Sequence, residues 1–219
     1  MVYEIRMNGV ITSIEKFELK LRAAGTVEGE RFRTLETSFK VPSGADGSVK
    51  GSVRLIKPVE HQKNGTHIDS MVSMLIQEVE VKRSGISKAS QVYLTEMNGD
   101  AEYILRAMQF EQEFSIGRVG KRVICPDGWE VEYFQLLPGT ESQPTTNHLQ
   151  QTAAPPCGPR LSCFVLESSN TACWMVTIVK RCEDEKQVDA IMGQTSKFIS
   201  RLTPELQTIT WDSIHSFDV

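Results

Sequence analysis

Glu78-Val79-Glu80-Val81-Lys82 alternates charged and β-branched residues with a period of two. That spacing predicts a β-strand, read over residues 71–82, and puts all three charges on one face. Two further pairs, Glu111-Gln112-Glu113 and Glu130-Val131-Glu132, each fit one strand face. Charged alternation ordinarily marks a solvated outer face with the intervening valines turned inward. Carboxylates on neighbouring strands also suit a divalent cation, because Mg²⁺ and Mn²⁺ take oxygen ligands. The direction of the glutamates therefore separates a coat from a site.

Around this stretch the chain reads mostly as strands. Residues 3–11 form the first, with an irregularity at Gly9. Thr12-Ser13-Ile14-Glu15 has the form of a capping box, Ile14, Phe17 and Leu21 follow at helical spacing, and Gly25 suits a left-handed cap. Strands are predicted at 33–41 and 48–56, joined through the turn residues 42–47, and again at 90–96. Asn98-Gly99-Asp100 opens a short helix over 101–108. Three compact strands follow, at 110–118, 121–125 and 129–137, the last two joined by Pro126-Asp127-Gly128. Residues 138–159 hold five of the nine prolines and read as a mobile Pro/Gln/Thr-rich insertion. Strand patterning resumes at 161–166 and 174–180. A C-terminal helix at about 186–202 carries the stripe Val188, Ile191, Met192, Thr195, Phe198, Ile199 and Leu202, and Pro204 ends it. Eight to ten strands with three helices predict an α+β single domain over 1–219, a curled antiparallel sheet forming a barrel with a few packed helices.

Composition narrows the function. The 219 residues are 40% hydrophobic and carry a formal charge of −4, which disfavours direct nucleic-acid binding. No apolar run is long enough to span a bilayer and no signal peptide is expected, so no membrane is implied. Five cysteines, none in Cys-x-x-Cys spacing, suggest reduced thiols, with Cys163 and Cys173 read as small buried hydrophobes. Four scattered histidines, His61, His67, His148 and His215, give no zinc spacing. Phosphate-binding Gly-rich loops and a Gly-x-Ser-x-Gly elbow are missing. No cofactor is expected.

Glu78-x-Glu80-x-Lys82 resembles the Glu-x-Glu-x-Lys motif of the triphosphate tunnel (CYTH) enzymes. That resemblance implies inward glutamates holding a divalent metal, with arginines and lysines holding the triphosphate. On it, Glu78, Glu80, Lys82, Glu130 and Glu132 become candidate catalytic residues, and Arg54, Arg118 and Arg122 candidate cations. The family carries its motif on the first strand, whereas about a third of this chain precedes it.

A second resemblance runs along nearly the whole chain. Residues 3–11 (Tyr3-Glu4-Ile5-Arg6-Met7-Asn8-Gly9-Val10-Ile11), the helix ending in Leu19-Lys20-Leu21-Arg22-Ala23, the strand Phe32-Arg33-Thr34-Leu35-Glu36-Thr37-Ser38-Phe39 and the stretch from Ala101 to Gly117 follow the element order of Mediator head-module subunit 18. The chain departs from that family at position 109, Gln here for the usual Gly, and in the insertion at 138–159. This family is known as a barrel related to the triphosphate tunnel fold without enzymatic activity. The resemblance implies a non-enzymatic nuclear scaffold for RNA polymerase II transcription, partnered with Mediator head subunits 20 and 8. Trp129 and Trp211 read either as partner anchors or as core and tail packing. The alternative is a metal-dependent triphosphatase acting on RNA 5′ ends or nucleotides.

Overall fold

The computed structural model describes residues 2–26, 29–40, 52–59, 72–137 and 173–209. Nine strands lie in one antiparallel sheet: β1 Val2–Ile11, β2 Glu30–Lys40, β3 Ser52–Pro58, β4 Ser73–Ser84, β5 Ser87–Met97, β6 Glu111–Ile124, β7 Glu130–Leu137, β8 Trp174–Cys182 and β9 Leu206–Ile209. Their order is β5-β4-β3-β2-β6-β7-β8-β1, and β1 pairs back onto β5, closing an eight-stranded barrel. β9 adds to β1 at Asn8–Ile11, beyond the point where β5 leaves it. Three helices lie outside the barrel: α1 Ile14–Ala23, α2 Ala101–Ala107 and α3 Val188–Leu202. None is long and apolar enough to cross a membrane.

The apolar core sits between the outer wall of this barrel and the helices. Tyr3, Ile5 and Met7 of β1, Val131 and Tyr133 of β7, and Val176 and Ile178 of β8 pack with Phe17 and Leu21 of α1 and with Ile191, Phe198 and Leu202 of α3. Burial of each such side chain contributes about 1.5–3 kcal/mol. The seven-residue stripe of α3 is its buried face. Trp129 is 1% exposed and stacks on Phe198 with ring centroids 5.0 Å apart, so it packs as core between α3 and the β6–β7 turn. A smaller cluster of Phe39, Leu55, Ala101 and Leu105 seats α2.

Two helices, α1 and α2, are closed by residues in the left-handed region. Gly25, at φ +84°, closes α1, its N–H bonding Arg22 O at 2.9 Å while Thr26 N–H reaches Leu21 O at 3.3 Å. Gln109 plays the same part after α2 at φ 66°, with bonds from its N–H to Arg106 O and from Phe110 N–H to Leu105 O. It stands where the resembled family has glycine, and the backbone conformation explains that preference.

Four expectations change. The strands predicted at 110–118 and 121–125 are one strand, β6. Gly120 does not break it: a Cβ there would lie 2.1 Å from Tyr133 O and 2.7 Å from Phe134, so glycine permits a close approach of β7. The capping box does not form. Ser13 is the N-cap without a side-chain bond, and Thr12 Oγ1 donates instead to Glu205 O at 3.2 Å. Cys173 is exposed, whereas Cys125 and Cys182 are buried. The fourth is Lys82, which does not share the face of Glu78 and Glu80. The turn at 42–47, the insertion at 138–159, the strand at 161–166, all four histidines, Cys157, Cys163 and Trp211 lie outside the described residues.

Candidate functional site

The alternation in this barrel is inverted relative to an ordinary sheet. Because the helices take the apolar residues of β1, β7 and β8 on the outside, the intervening residues point into the bore. On β1 these are Glu4 and Arg6, on β7 Glu130 and Glu132, on β8 Arg181. Glu36 of β2, Arg54 of β3, Glu78 of β4, and Arg118 and Arg122 of β6 share that side by strand register. An eight-stranded barrel leaves an interior just wide enough for its own side chains, so charges placed there must meet one another.

They meet in a closed ring of five carboxylates and five guanidiniums in strict alternation. Arg181 bonds Glu130 at 2.7 Å and Glu4 at 3.1 Å. Glu4 also holds Arg6, and Arg6 lies 3.1 Å from Glu78. Arg54 bridges Glu78 to Glu36, the latter at 3.0 Å. Arg118 joins Glu36 at 3.0 Å to Glu132 at 3.7 Å. Arg122 Nε closes the circuit, donating to Glu132 at 2.8 Å and lying 2.9 Å from Glu130. β5 adds Lys88, 3.5 Å from Glu78. Beneath the ring, Arg118 stacks its guanidinium 5.0 Å from the Phe134 centroid and 6.0 Å from that of Phe32.

The electrostatics follow from this closure. Burial alone would raise the Glu78 carboxyl, but Arg6, Arg54 and Lys88 outweigh it and hold its pKa at about 2. Burial opposes ionisation of Glu36 as well, and Arg54 and Arg118 overcome it and keep its pKa below the usual range. Against their own burial, Arg54, Arg122 and Arg181 are raised by their carboxylate neighbours. Around the ring each carboxylate is thus answered by guanidinium neighbours.

The sequence candidates separate on this geometry. Glu78, Glu130 and Glu132 point inward, so these glutamates are no solvated coat; their side chains are 15%, 16% and 14% exposed. Glu80 reaches the mouth, where Arg83 holds it at 2.6 Å. Lys82 does not share their face. The register slips between Glu80 and Lys82, pairing Glu80 with Ser90 but Lys82 with Ala89, and Ala89 belongs to the outer core. This β-bulge turns Lys82 outward to Asp189 of α3, at 2.6 Å. Glu111 and Glu113 are exposed at the start of β6, where Glu113 accepts from Ser38 Oγ at 2.9 Å. Arg54, Arg118 and Arg122 do face the bore. Sequence reasoning missed Glu4, Arg6, Glu36 and Arg181; the signal available was Glu4-x-Arg6, with Ile5 between them.

The donor set does not fit a divalent cation. Each inward carboxylate is already held by guanidinium groups, and among the described residues no three carboxylate, imidazole or thiol groups converge as metal ligands. A separate hollow of about 410 Å³ lies outside the barrel between α1, β2 and β6, where Glu18 accepts from Lys121 at 2.7 Å and from the Tyr133 hydroxyl at 2.9 Å.

No protein-family model matches the sequence, and no curated protein matches it. Solved structures do match by shape. A chain of the Schizosaccharomyces pombe Mediator head module superposes with a TM-score of 0.60 at 13% identity, covering 94% of this chain and 100% of that one. The PH1819 protein of Pyrococcus horikoshii OT3 gives 0.55 at 9% identity, covering 93% of each chain. A candidate adenylate cyclase from Vibrio parahaemolyticus gives 0.56 at 9% identity, covering 98% of each. The chain thus shares the fold of a closed antiparallel α+β barrel with a Mediator head-module chain and with the Pyrococcus horikoshii and Vibrio parahaemolyticus chains.

Proposed function

We propose that this protein is a non-enzymatic subunit of a Mediator-type head assembly, a nuclear protein–protein interaction scaffold acting in RNA polymerase II transcription, with counterparts of head subunits 20 and 8 as its partners. The observation that carries this reading is the closed ionic ring. Triphosphate chemistry needs cations free to take phosphate oxygens and carboxylates free to take a metal. Here Arg6, Arg54, Arg118, Arg122 and Arg181 are each engaged by two carboxylates of the chain itself. Such a network serves to hold a barrel in shape, leaving the outer surface for partners. The full coverage of a Mediator head-module chain supports the same reading at the level of fold.

One observation favours a second reading, a metal-dependent triphosphatase. Glu78, Glu130 and Glu132 do face a bore shared with several arginines. Against it stand the outward Lys82 and the balance of charge in the ring. Affinity capture of the tagged full chain from nuclear extract tests the scaffold reading. Recovery of Mediator head subunits supports it, and capture with none of them sinks it.

A further inference from the structure

Among the described residues, β1 covers only part of one β5 edge and leaves the barrel wall open beyond it. β1 pairs with β5 only from Val2, opposite Val92, to Met7, opposite Ser87. β5 runs on to Met97, matched on its other side by β4 as far as Ser73. Along residues 93–97 the β5 edge turned away from β4 has no strand partner among the described residues. An edge of this kind offers a row of backbone donors and acceptors to any extended chain that enters it.

The opposite rim of the gap is acidic. β8 pairs Cys182 with Tyr3, so Glu183, Asp184 and Glu185 follow near Val2, the first described residue of β1. All three are exposed, and the Tyr3 hydroxyl reaches Glu185 at 3.4 Å. Glu96, on β5 itself, is exposed as well; beside these carboxylates lie Lys186 and Arg181, the latter held by Glu4 and Glu130. The β5 edge presents Leu94 on the bore side and Tyr93 on the outer side, 48% and 42% exposed. A segment paired to β5 would lie about 4.8 Å from it, on the side of these carboxylates.

We infer that this gap takes an extended, basic segment of a partner protein, added as a strand to residues 93–97 of β5. The backbone edge, unpaired among the described residues, selects an extended chain, the carboxylates select lysine and arginine, and Leu94 and Tyr93 select aliphatic residues between them. The inference does not depend on the scaffold reading above.

The test uses the full chain and two labelled peptides of about ten residues, one alternating lysine with valine and one alternating glutamate with valine. The expected result is binding of the lysine peptide alone, with slowed amide hydrogen exchange at residues 93–97. Combined Glu183→Gln, Asp184→Asn and Glu185→Gln substitution should weaken that binding by roughly tenfold, and added salt should weaken it too. Unchanged far-ultraviolet dichroism and Tm confirm that the triple variant is folded. Binding of neither peptide, equal binding of both, or protection at another edge would overturn the assignment. So would a dimer of this chain that protects the same amides.

Discussion

Replacing Glu78 by Gln removes the carboxylate that Arg6, Arg54 and Lys88 share. The cost can be worked from its titration. A carboxyl held at about 2 in the folded state, against an ordinary value near 4.5, contributes roughly 3 kcal/mol of stability at neutral pH. Breaking a buried ion pair by deleting one partner costs about 3–5 kcal/mol, which agrees. The sign follows from the lowered pKa. The contribution is complete above the unfolded value and is lost as pH falls from about 5 towards 2, where the unfolded chain binds the proton first. Urea unfolding of both proteins across this range measures it. At pH 7 the variant should be less stable by about 3 kcal/mol, and the gap should narrow to under about 1 kcal/mol near pH 2. A gap below about 1 kcal/mol at pH 7, or one that does not change with pH, would refute the argument that this ring holds the barrel together.

Other consequences are more local. Gln109→Gly should stabilise the protein by about 0.5–1 kcal/mol in urea unfolding, because it relieves a left-handed residue while keeping the cap of α2. Gly120→Ala should destabilise it by about 3 kcal/mol or more, seen as a lowered Tm, since the new methyl meets Tyr133 O with no room to move. Lys82→Ala should change stability by less than about 1 kcal/mol, since its pair with Asp189 is exposed on both sides; a larger loss in urea unfolding would place Lys82 in the bore.

The sequence carried the strand and helix pattern well where periodicity is local. The β1 and β7 alternation, the buried stripe of α3 and the Gly25 cap each depend on residues within a turn or two, so spacing reveals them. The ring was not legible, because its ten members come from seven strands and meet only when β1 closes on β5. Alternation says that Glu130 and Val131 face opposite ways, but not which way is in. Here the helices decide it by burying Val131. The bulge beside Val81 was invisible for another reason. One extra residue in a strand leaves no mark on composition, yet it reverses every later side chain, and so removed Lys82 from a motif that looked intact. Gly120 misled in the opposite sense, since a glycine that permits close packing reads like one that ends a strand.

The proposed scaffold reading holds that the bore carboxylates are taken up by the chain's own cations and that the bore does no phosphoryl chemistry. Phosphate release from inorganic triphosphate in the presence of Mn²⁺ tests it most directly, measured on the intact chain and on the Glu78→Ala, Glu80→Ala double variant. The account predicts release no faster than the protein-free reaction for both proteins. Mn²⁺-dependent release by the intact chain that disappears in the double variant would contradict it.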